Sequence, residues 1–398
     1  MQRVAIVGAG AGATMLANAL DPSRFEVTVI GAAAEHLFQP GLLYVAFRGA
    51  SARRLARPER QLLRRSVRFV QARVTRIDLN RHQIITAEGT QFDYDTVVIG
   101  TGVVTDRTQI PGLAAWGERI GDYHSTVAEA QKLWRTLEAF GGGTIALGQS
   151  TPLIKCPPSP IEGILLTDAL LRRRGWRERS RLIFLTPYPR PYPAEAMNAI
   201  LEPVLRARGI EVRTVFDVDK VDAASGAITS LEGDTIACDL PILIPPFAGA
   251  AIAYEPAGTL DNDRLIKTDK TTLRIQGAEH AFALGDATNL PTSKAGVGAH
   301  LESKVIARQL NGEAATFSGR THCPVDLADG RGTFVIGSYA AAVIPCRPTR
   351  MRHWMKLAMA RIYWISLRGW LEPMFDWYFA RTAPEKRAGG AKAESDSV

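Results

Sequence analysis

Residues 1–20 read MQRVAIVGAGAGATMLANAL, and the fold turns on them. Residues 3–8 (RVAIVG) form an apolar, β-branched run of the buried-strand type. The turn Gly8-Ala9-Gly10-Ala11-Gly12-Ala13 follows at once, and a helical stretch then runs through about Leu20. A second strand is read at residues 25–30 (FEVTVI). Strand, glycine turn, helix and strand make the opening βαβ unit of a dinucleotide-binding fold. Gly8 allows the tight turn, Gly10 lets the backbone approach a pyrophosphate, and Ala13 takes the small third position where helix meets strand. Ala11 and Gly12 join Gly8 and Gly10 as cofactor-binding positions, because the free N–H groups and dipole of a helix start favour negative charge.

Two later segments fit the same cofactor. Residues 94–102 (YDTVVIGTG) are a strand ending in a glycine turn at Gly102, and residues 281–289 (AFALGDATN) are a strand ending in Gly285-Asp286. An acid at a strand end can bind a sugar or ribityl hydroxyl, so Asp286 is the candidate. The plainer reading of each is an ordinary strand–turn junction. Three such segments in this order are the layout of flavoproteins with two dinucleotide domains, which points to FAD before NAD at the first site.

A second nucleotide-type domain is expected to begin near residue 142, where GGTIALG (142–148) is strand-like. The glycine fingerprint does not follow it. The chain reads Gly148-Gln149-Ser150-Thr151-Pro152-Leu153-Ile154-Lys155-Cys156-Pro157-Pro158 instead. Proline donates no N–H, and closely spaced glycines are missing, so a second nucleotide such as NAD(P)H is not expected there. A helix at about 161–174 and strands at 182–186, 211–215 and 241–245 complete this half. The expected fold class is therefore α/β, with two Rossmann-like domains of glutathione-reductase-like type. Residues 1–110 and 255–320 are assigned to the FAD-binding domain and 111–254 to the second. Residues 321–382 are assigned to a redox-cysteine and membrane-anchoring region.

With 398 residues, 46% hydrophobic and 22% charged, the chain can bury two or three domain cores. No apolar run reaches the roughly 18–20 residues that span a bilayer, and no cleavable signal pattern opens the chain. The net charge of +8 and pI near 9.4 favour an anionic partner. No nucleic-acid module appears, so nucleic acid is the weakest of these. Residues 347–379 hold four of the seven tryptophans, interleaved with Arg347, Arg350, Arg352, Lys356, Arg361 and Arg368. That is the composition of helices lying in a membrane interface; a helical pair covering the core or a dimer contact is the alternative. The final stretch, about 383–398, is small and polar and reads as disordered.

Cys156, Cys238, Cys323 and Cys346 are too sparse for a disulfide framework and too scattered for structural zinc; no metal site is read. Their flanks carry a resemblance. VAIVGAGAG (4–12), EHLFQPG (35–41), PLIKCPPSP (152–160), GDATNLPTSKAG (285–296), THCPVDLADGRGTFVIGSY (321–339) and HWMKLAMARIYWISLRG (353–369) together resemble the sulfide:quinone oxidoreductases. Thr321-His322-Cys323-Pro324 resembles the second cysteine site of the mitochondrial-type branch.

The resemblance implies a redox pair, Cys156 and Cys323, beside the isoalloxazine ring of FAD, on the face opposite the quinone. Hydrosulfide attacks the oxidised pair at Cys323, leaving a persulfide there and releasing the Cys156 thiolate. That thiolate reacts with the flavin, and two electrons pass into FAD. The sulfur leaves to a thiol, to sulfite or into a growing polysulfide, and ubiquinone or menaquinone takes the electrons from the membrane side. Pro40, Tyr363 and Trp364 are placed on the quinone side, and Lys294 is given the negative charge of reduced flavin. Lys155, next to Cys156, is expected to favour its thiolate. A peripheral location at a bacterial inner membrane follows, and association with further copies of the chain is left open.

Several positions depart from the pattern. Gly31 stands where an acid normally holds the adenosine ribose, no third cysteine lies near His124-Ser125, and Pro157-Pro158 stiffens the active loop. Cys238 is read as core, in a strand, and Cys346 as a neighbour of the quinone-side helices. The rivals are a type II NADH:quinone dehydrogenase, a flavocytochrome-type sulfide dehydrogenase subunit, and a non-catalytic membrane-surface protein on a degenerate flavin fold.

Overall fold

The computed structural model describes residues 1–384. The apolar opening run forms β1 (Gln2–Val7), which pairs in parallel with β2 (Phe25–Gly31), Val4 opposite Val27 and Val7 opposite Ile30. α1 (Ala11–Ala19) is the crossover between them. β3 (Arg68–Gln71) extends the sheet beyond β2, and β4 (Thr96–Ile99) extends it beyond β1. Ile6, Val97, Val98 and Ile99 have no exposed surface, as strands covered on both faces must.

The second half repeats the plan. β5 (Gly143–Gln149), β6 (Ser180–Leu185), β7 (Glu211–Arg213) and β8 (Leu240–Ile244) form a parallel sheet in the order β7–β6–β5–β8. The helices α2 (Ser159–Arg173) and α3 (Glu195–Ala207) serve this sheet. The strand expected at 211–215 stops at Arg213, and Val215, two residues on, has a φ of +53°, which an extended ladder cannot continue. Cys238 lies in the loop just before β8 rather than in a strand, buried, with its thiol directed at the Gly226 carbonyl, 3.4 Å away.

The chain then returns to the first sheet. β9 (Ala281–Ala283) pairs with β4 at that sheet's edge. α4 (Gly296–Leu310) follows and packs on α1 so closely that a Cβ at Gly12 would lie 2.9 Å from the Ala299 carbonyl. The segment read as strand and turn at 333–344 divides into two strands. With β10 (Thr321–Asp326), β11 (Gly332–Gly337) and β12 (Ile344–Pro345) make an antiparallel sheet. Two helices close the described chain, α5 (Arg350–Ser366) and α6 (Glu372–Arg381). Apart from residues 383 and 384, the tail read as disordered lies outside the described residues.

Candidate active site

The glycine turn after β1 is built for an approaching anion. Gly8 sits at φ +106°, and a Cβ there would lie 2.3 Å from the Gly100 carbonyl, so packing alone requires glycine. Gly12 is required in the same way by Leu284 and Ala299. Gly10 differs: a Cβ there would meet nothing closer than 4.0 Å. It is the N-cap of α1, and no side chain caps the helix. The first helical N–H groups are therefore left for a ligand, and the open space at Gly10 lets one come close.

Gly102 and Gly285 have left-handed backbones at φ +66° and +69°, turning the chain at the ends of β4 and β9. The Asp286 carboxylate accepts no hydrogen bond from a described residue, and burial, partly offset by Lys155 and Lys294, raises its pKa. A carboxyl in that condition suits sugar-type hydroxyls. These features fit FAD. Gly31 has a structural reason: a Cβ there would lie 2.9 Å from Ala9 Cβ and 3.2 Å from the Phe69 ring, so the usual acid has no room.

The corresponding turn in the second half has no such cradle. α1 starts four residues after β1 ends, whereas α2 starts ten residues after β5. The intervening loop satisfies itself: Ser150 Oγ donates to the Ile244 carbonyl at 2.6 Å, and Tyr188 Oη donates to the Pro152 carbonyl at 2.8 Å.

That loop carries Cys156. Lys155 pairs with Lys294 as a single parallel bridge, and the Cys156 N–H donates to the Lys294 carbonyl at 2.7 Å. Cys156 has a φ of +57°, a strained conformation for a residue with a Cβ. Cys323 lies on β10 opposite Val335, buried. Its sulfur meets Thr321 Oγ1 at 3.5 Å, and the Ser293 side chain favours its charged form. Cys156 is thus tied by a hydrogen bond to Lys294, and Cys323 is influenced by the residue next to it, Ser293. Both are free thiols, and charge on Cys323 opposes charge on Cys156. Cys346 is buried elsewhere, against Phe334 and Ile336.

Lys155 keeps the expected electrostatic link to Cys156, each favouring the other's charge. Its ammonium turns away to Gln39 Oε1 at 2.9 Å and lies 5.2 Å from the centre of the Phe247 ring. The cation that most favours the Cys156 thiolate is Lys356 of α5, which also pairs with Glu162, one turn into α2. Burial outweighs it and pushes the Cys156 thiol up to about 12. Burial also raises Glu162 despite that ammonium and an N–H from Asp326 at 2.5 Å. Lys294 donates to the carbonyls of Asp286 (3.0 Å) and Thr288 (2.6 Å), so it braces the Asp286 turn. Behind that turn Glu302 accepts the Gly285 N–H at 2.5 Å, and burial pushes it up to about 7. His124 bonds Ser159 Oγ through Nε2 at 2.6 Å, and burial pushes it down to about 3, so it is neutral.

The quinone-side trio is divided. Pro40 is exposed, next to Gln39. The Tyr363 hydroxyl bonds His36 Nε2 at 2.5 Å, and His36 Nδ1 meets the buried Glu59 at 2.8 Å. Trp364 is packed among Met15, Phe38, Leu62 and Leu367 and docks α5 onto α1. Glu162 and Glu302 were not legible as site residues, because neither sits in a local chemical motif, and Lys356 was read only as one of the basic residues of the Trp-rich stretch.

This fold and this pair of turns define a class. A family model described as pyridine nucleotide-disulphide oxidoreductase matches residues 2–307. The chain belongs to that family, and its cofactor is FAD. Its relatives narrow the class. It is 25% identical to the mitochondrial sulfide:quinone oxidoreductase of Mus musculus, across 94% of this chain and 88% of that one. It is 22% identical to the mitochondrial enzyme of the same description from Dictyostelium discoideum, across 81% and 75%. The X-ray structure of the sulfide:quinone oxidoreductase of Aquifex aeolicus superposes with a TM-score of 0.80 at 18% identity, covering 93% of this chain and 92% of that one. The resemblance read from the cysteine and tryptophan segments holds along the chain.

Two outcomes test the buried charges. Lys356→Met leaves Glu162 without its cation and lowers stability by roughly 3–5 kcal/mol, whereas Glu162→Gln with Lys356→Met recovers most of it, read by thermal unfolding. Glu302 binds its proton more tightly folded than unfolded, so its contribution is full below the unfolded carboxylate range and is lost as pH rises through about 7. Glu302→Gln is therefore expected to gain stability relative to the unaltered chain between pH 5 and 8; an unchanged difference would contradict this.

Proposed function

We propose that the protein is a sulfide:quinone oxidoreductase, oxidising sulfide at Cys156 and Cys323 and reducing a membrane quinone. One observation carries the reading: Cys156 is hydrogen-bonded to Lys294, which braces the Asp286 turn, and the charges of Cys156 and Cys323 act on each other. Two thiols so placed can form the disulfide that a sulfur nucleophile needs. Gly8, Gly10, Ala11, Gly12, Gly102, Gly285, Asp286 and Lys294 would hold the FAD. When bound, FAD supplies a two-electron acceptor that passes the pair on to a quinone.

The chain's own residues divide the work. In the oxidised pair, hydrosulfide attacks Cys323 Sγ; the new S–S bond forms as the Cys156–Cys323 bond breaks, and the bonding electrons leave on Cys156. Sulfide is oxidised to the sulfane level and the disulfide is reduced. Burial holds the proton on both thiols, and Lys356 is a cation that favours the charge of each. The sulfane sulfur then passes to a thiol, to sulfite or to another sulfur chain.

The self-satisfied loop after β5 speaks against a nicotinamide nucleotide, and so against the type II NADH dehydrogenase reading. The membrane side is read from α5 and α6. Among the described residues, six of the ten large, exposed hydrophobics lie on these helices or the turn between them: Met351, Trp354, Ile365, Trp370, Met374 and Trp377. No helix among the described residues is long and apolar enough to cross a membrane. We read the pair as lying in the interface, its tryptophans at headgroup depth and its arginines toward phosphate. That surface also speaks against an exported haem-linked form.

Sulfide is expected to bleach the flavin spectrum of the purified protein while NADH leaves it unchanged. Cys156→Ser or Cys323→Ser abolishes the bleaching and Cys346→Ser leaves it nearly intact. Rapid bleaching by NADH, or equal loss with Cys346→Ser, overturns the assignment. Replacing Trp354, Trp370 and Trp377 together by alanine is expected to release the protein from anionic vesicles in a sedimentation assay without loss of flavin; vesicle binding that survives the triple change removes the interfacial reading.

A further inference from the structure

Between Arg48 and Arg76 the chain holds eight arginines and a single acid, Glu59. All eight arginines are exposed, while Glu59 is fully buried and bonded to His36 and Thr14. Arg48 and Arg76 have carboxylate partners, in Asp326 and Glu255; among the described residues none of the eight between them forms such a pair. Like charges gathered without a counter-charge repel one another, so the segment gains from an anionic neighbour outside the chain. A run of charge is most often a solvated face, and its place in the fold decides whether it is more.

This segment lies against the end of α5. Asn18 of α1, 1% exposed, holds the two together. Its Nδ2 donates to the Leu62 carbonyl at 2.9 Å and to the Leu367 carbonyl at 2.8 Å, and its Oδ1 accepts the Arg64 N–H at 2.8 Å. Arg368, just past α5, donates to the Gln61 carbonyl. Arg60 donates to the carbonyls of Arg64 (3.2 Å) and Arg65 (3.3 Å), which draws those three residues together. The Arg368 guanidinium also lies 5.6 Å from the ring centre of Trp370, which is 70% exposed in the turn before α6. Three arginines from the first half of the chain are thus fixed beside an exposed tryptophan that has an arginine of its own.

We propose that Arg60, Arg64 and Arg65, with Arg368 and Trp370, form a docking surface for anionic phospholipid, which makes membrane binding selective for negatively charged headgroups. This rests on the reading of α5 and α6 as interfacial helices and goes beyond it. Apolar rings bind any bilayer interface, whereas this patch belongs to the nucleotide-binding half of the chain and reads lipid charge. Continuity with Trp370 favours lipid over a nucleic acid or an acidic protein: an indole at headgroup depth brings the guanidinium groups beside it to the level of the phosphates.

The test is co-sedimentation of flavin-loaded protein with two kinds of vesicle, phosphatidylcholine alone and phosphatidylcholine mixed with phosphatidylglycerol. The variant combines Arg60→Gln, Arg64→Gln and Arg65→Gln. One arginine near an anionic surface strengthens binding by about fivefold, so the triple change is expected to weaken binding to the mixed vesicles on the order of a hundredfold. Binding to phosphatidylcholine alone, thermal midpoint and flavin content stay as in the unaltered protein. The combination Arg60→Lys, Arg64→Lys and Arg65→Lys keeps the charge and most of the binding. For the unaltered protein, raising salt from about 0.1 M to about 1 M shortens the screening length from about 10 Å to about 3 Å and removes the preference for mixed vesicles. Undiminished binding of the glutamine variant to mixed vesicles, equal loss on both kinds of vesicle, or a preference that ignores salt overturns the proposal. So does duplex DNA that binds as tightly as the mixed vesicles and is lost with the same variant. The interfacial reading fails by a separate result, vesicle binding that survives replacement of Trp354, Trp370 and Trp377 by alanine.

Discussion

The hydrogen bond from the Cys156 N–H to the Lys294 carbonyl joins three parts of the chain that have no other reason to meet. Cys156 belongs to the second sheet's first loop, Lys294 to the loop entering α4, and Lys294 in turn braces the Asp286 turn. Ser293, one residue earlier, favours the charged form of Cys323. One short bridge therefore sets the position of Cys156 relative to the FAD-binding turns. The left-handed backbone at Cys156 is what that closeness costs locally.

Around the bridge the protein places charge where water is scarce. Glu162 and Lys356 pair across the interface of α2 and α5, so α5 also supplies a cation that acts on both cysteines. α5 is held at other points as well, by Tyr363 on His36 and by Trp364 in the cluster with Met15. α6 is held by Glu372 on His300 at 2.8 Å and on Lys304 at 2.7 Å. Polar ties on the inner faces and exposed tryptophans on the outer ones fit helices that both close the site and rest on a lipid surface. Detachment of α5 would strip the cysteines of that cation.

Much of this was legible from local sequence. The strand–glycine–helix opening reads correctly because a pyrophosphate cradle is made by consecutive residues, and Gly8, Gly10 and Gly12 lie in register within one turn. The missing fingerprint after β5 was equally plain. Lys155 was legible only in part. Adjacency to Cys156 gave the charge effect, which the two groups do share, but not where the ammonium rests, on Gln39, nor that Lys356 is the larger influence on the thiolate. Trp364 looked like its exposed neighbours and is instead 5% exposed, because which face of α5 turns inward depends on what it packs against.

The sequence by itself determined the α/β class, the FAD-type turn, the absence of a second nucleotide cradle and the cysteines worth testing. Each of those depends on residues within a few positions of one another. Only the tertiary structure decided that Lys356 and Glu162 meet beside Cys156, and that Glu302 sits behind the Asp286 turn. Lys356 reaches Cys156 from far along the chain, and that meeting is set by how sheets and helices pack, which no local pattern encodes.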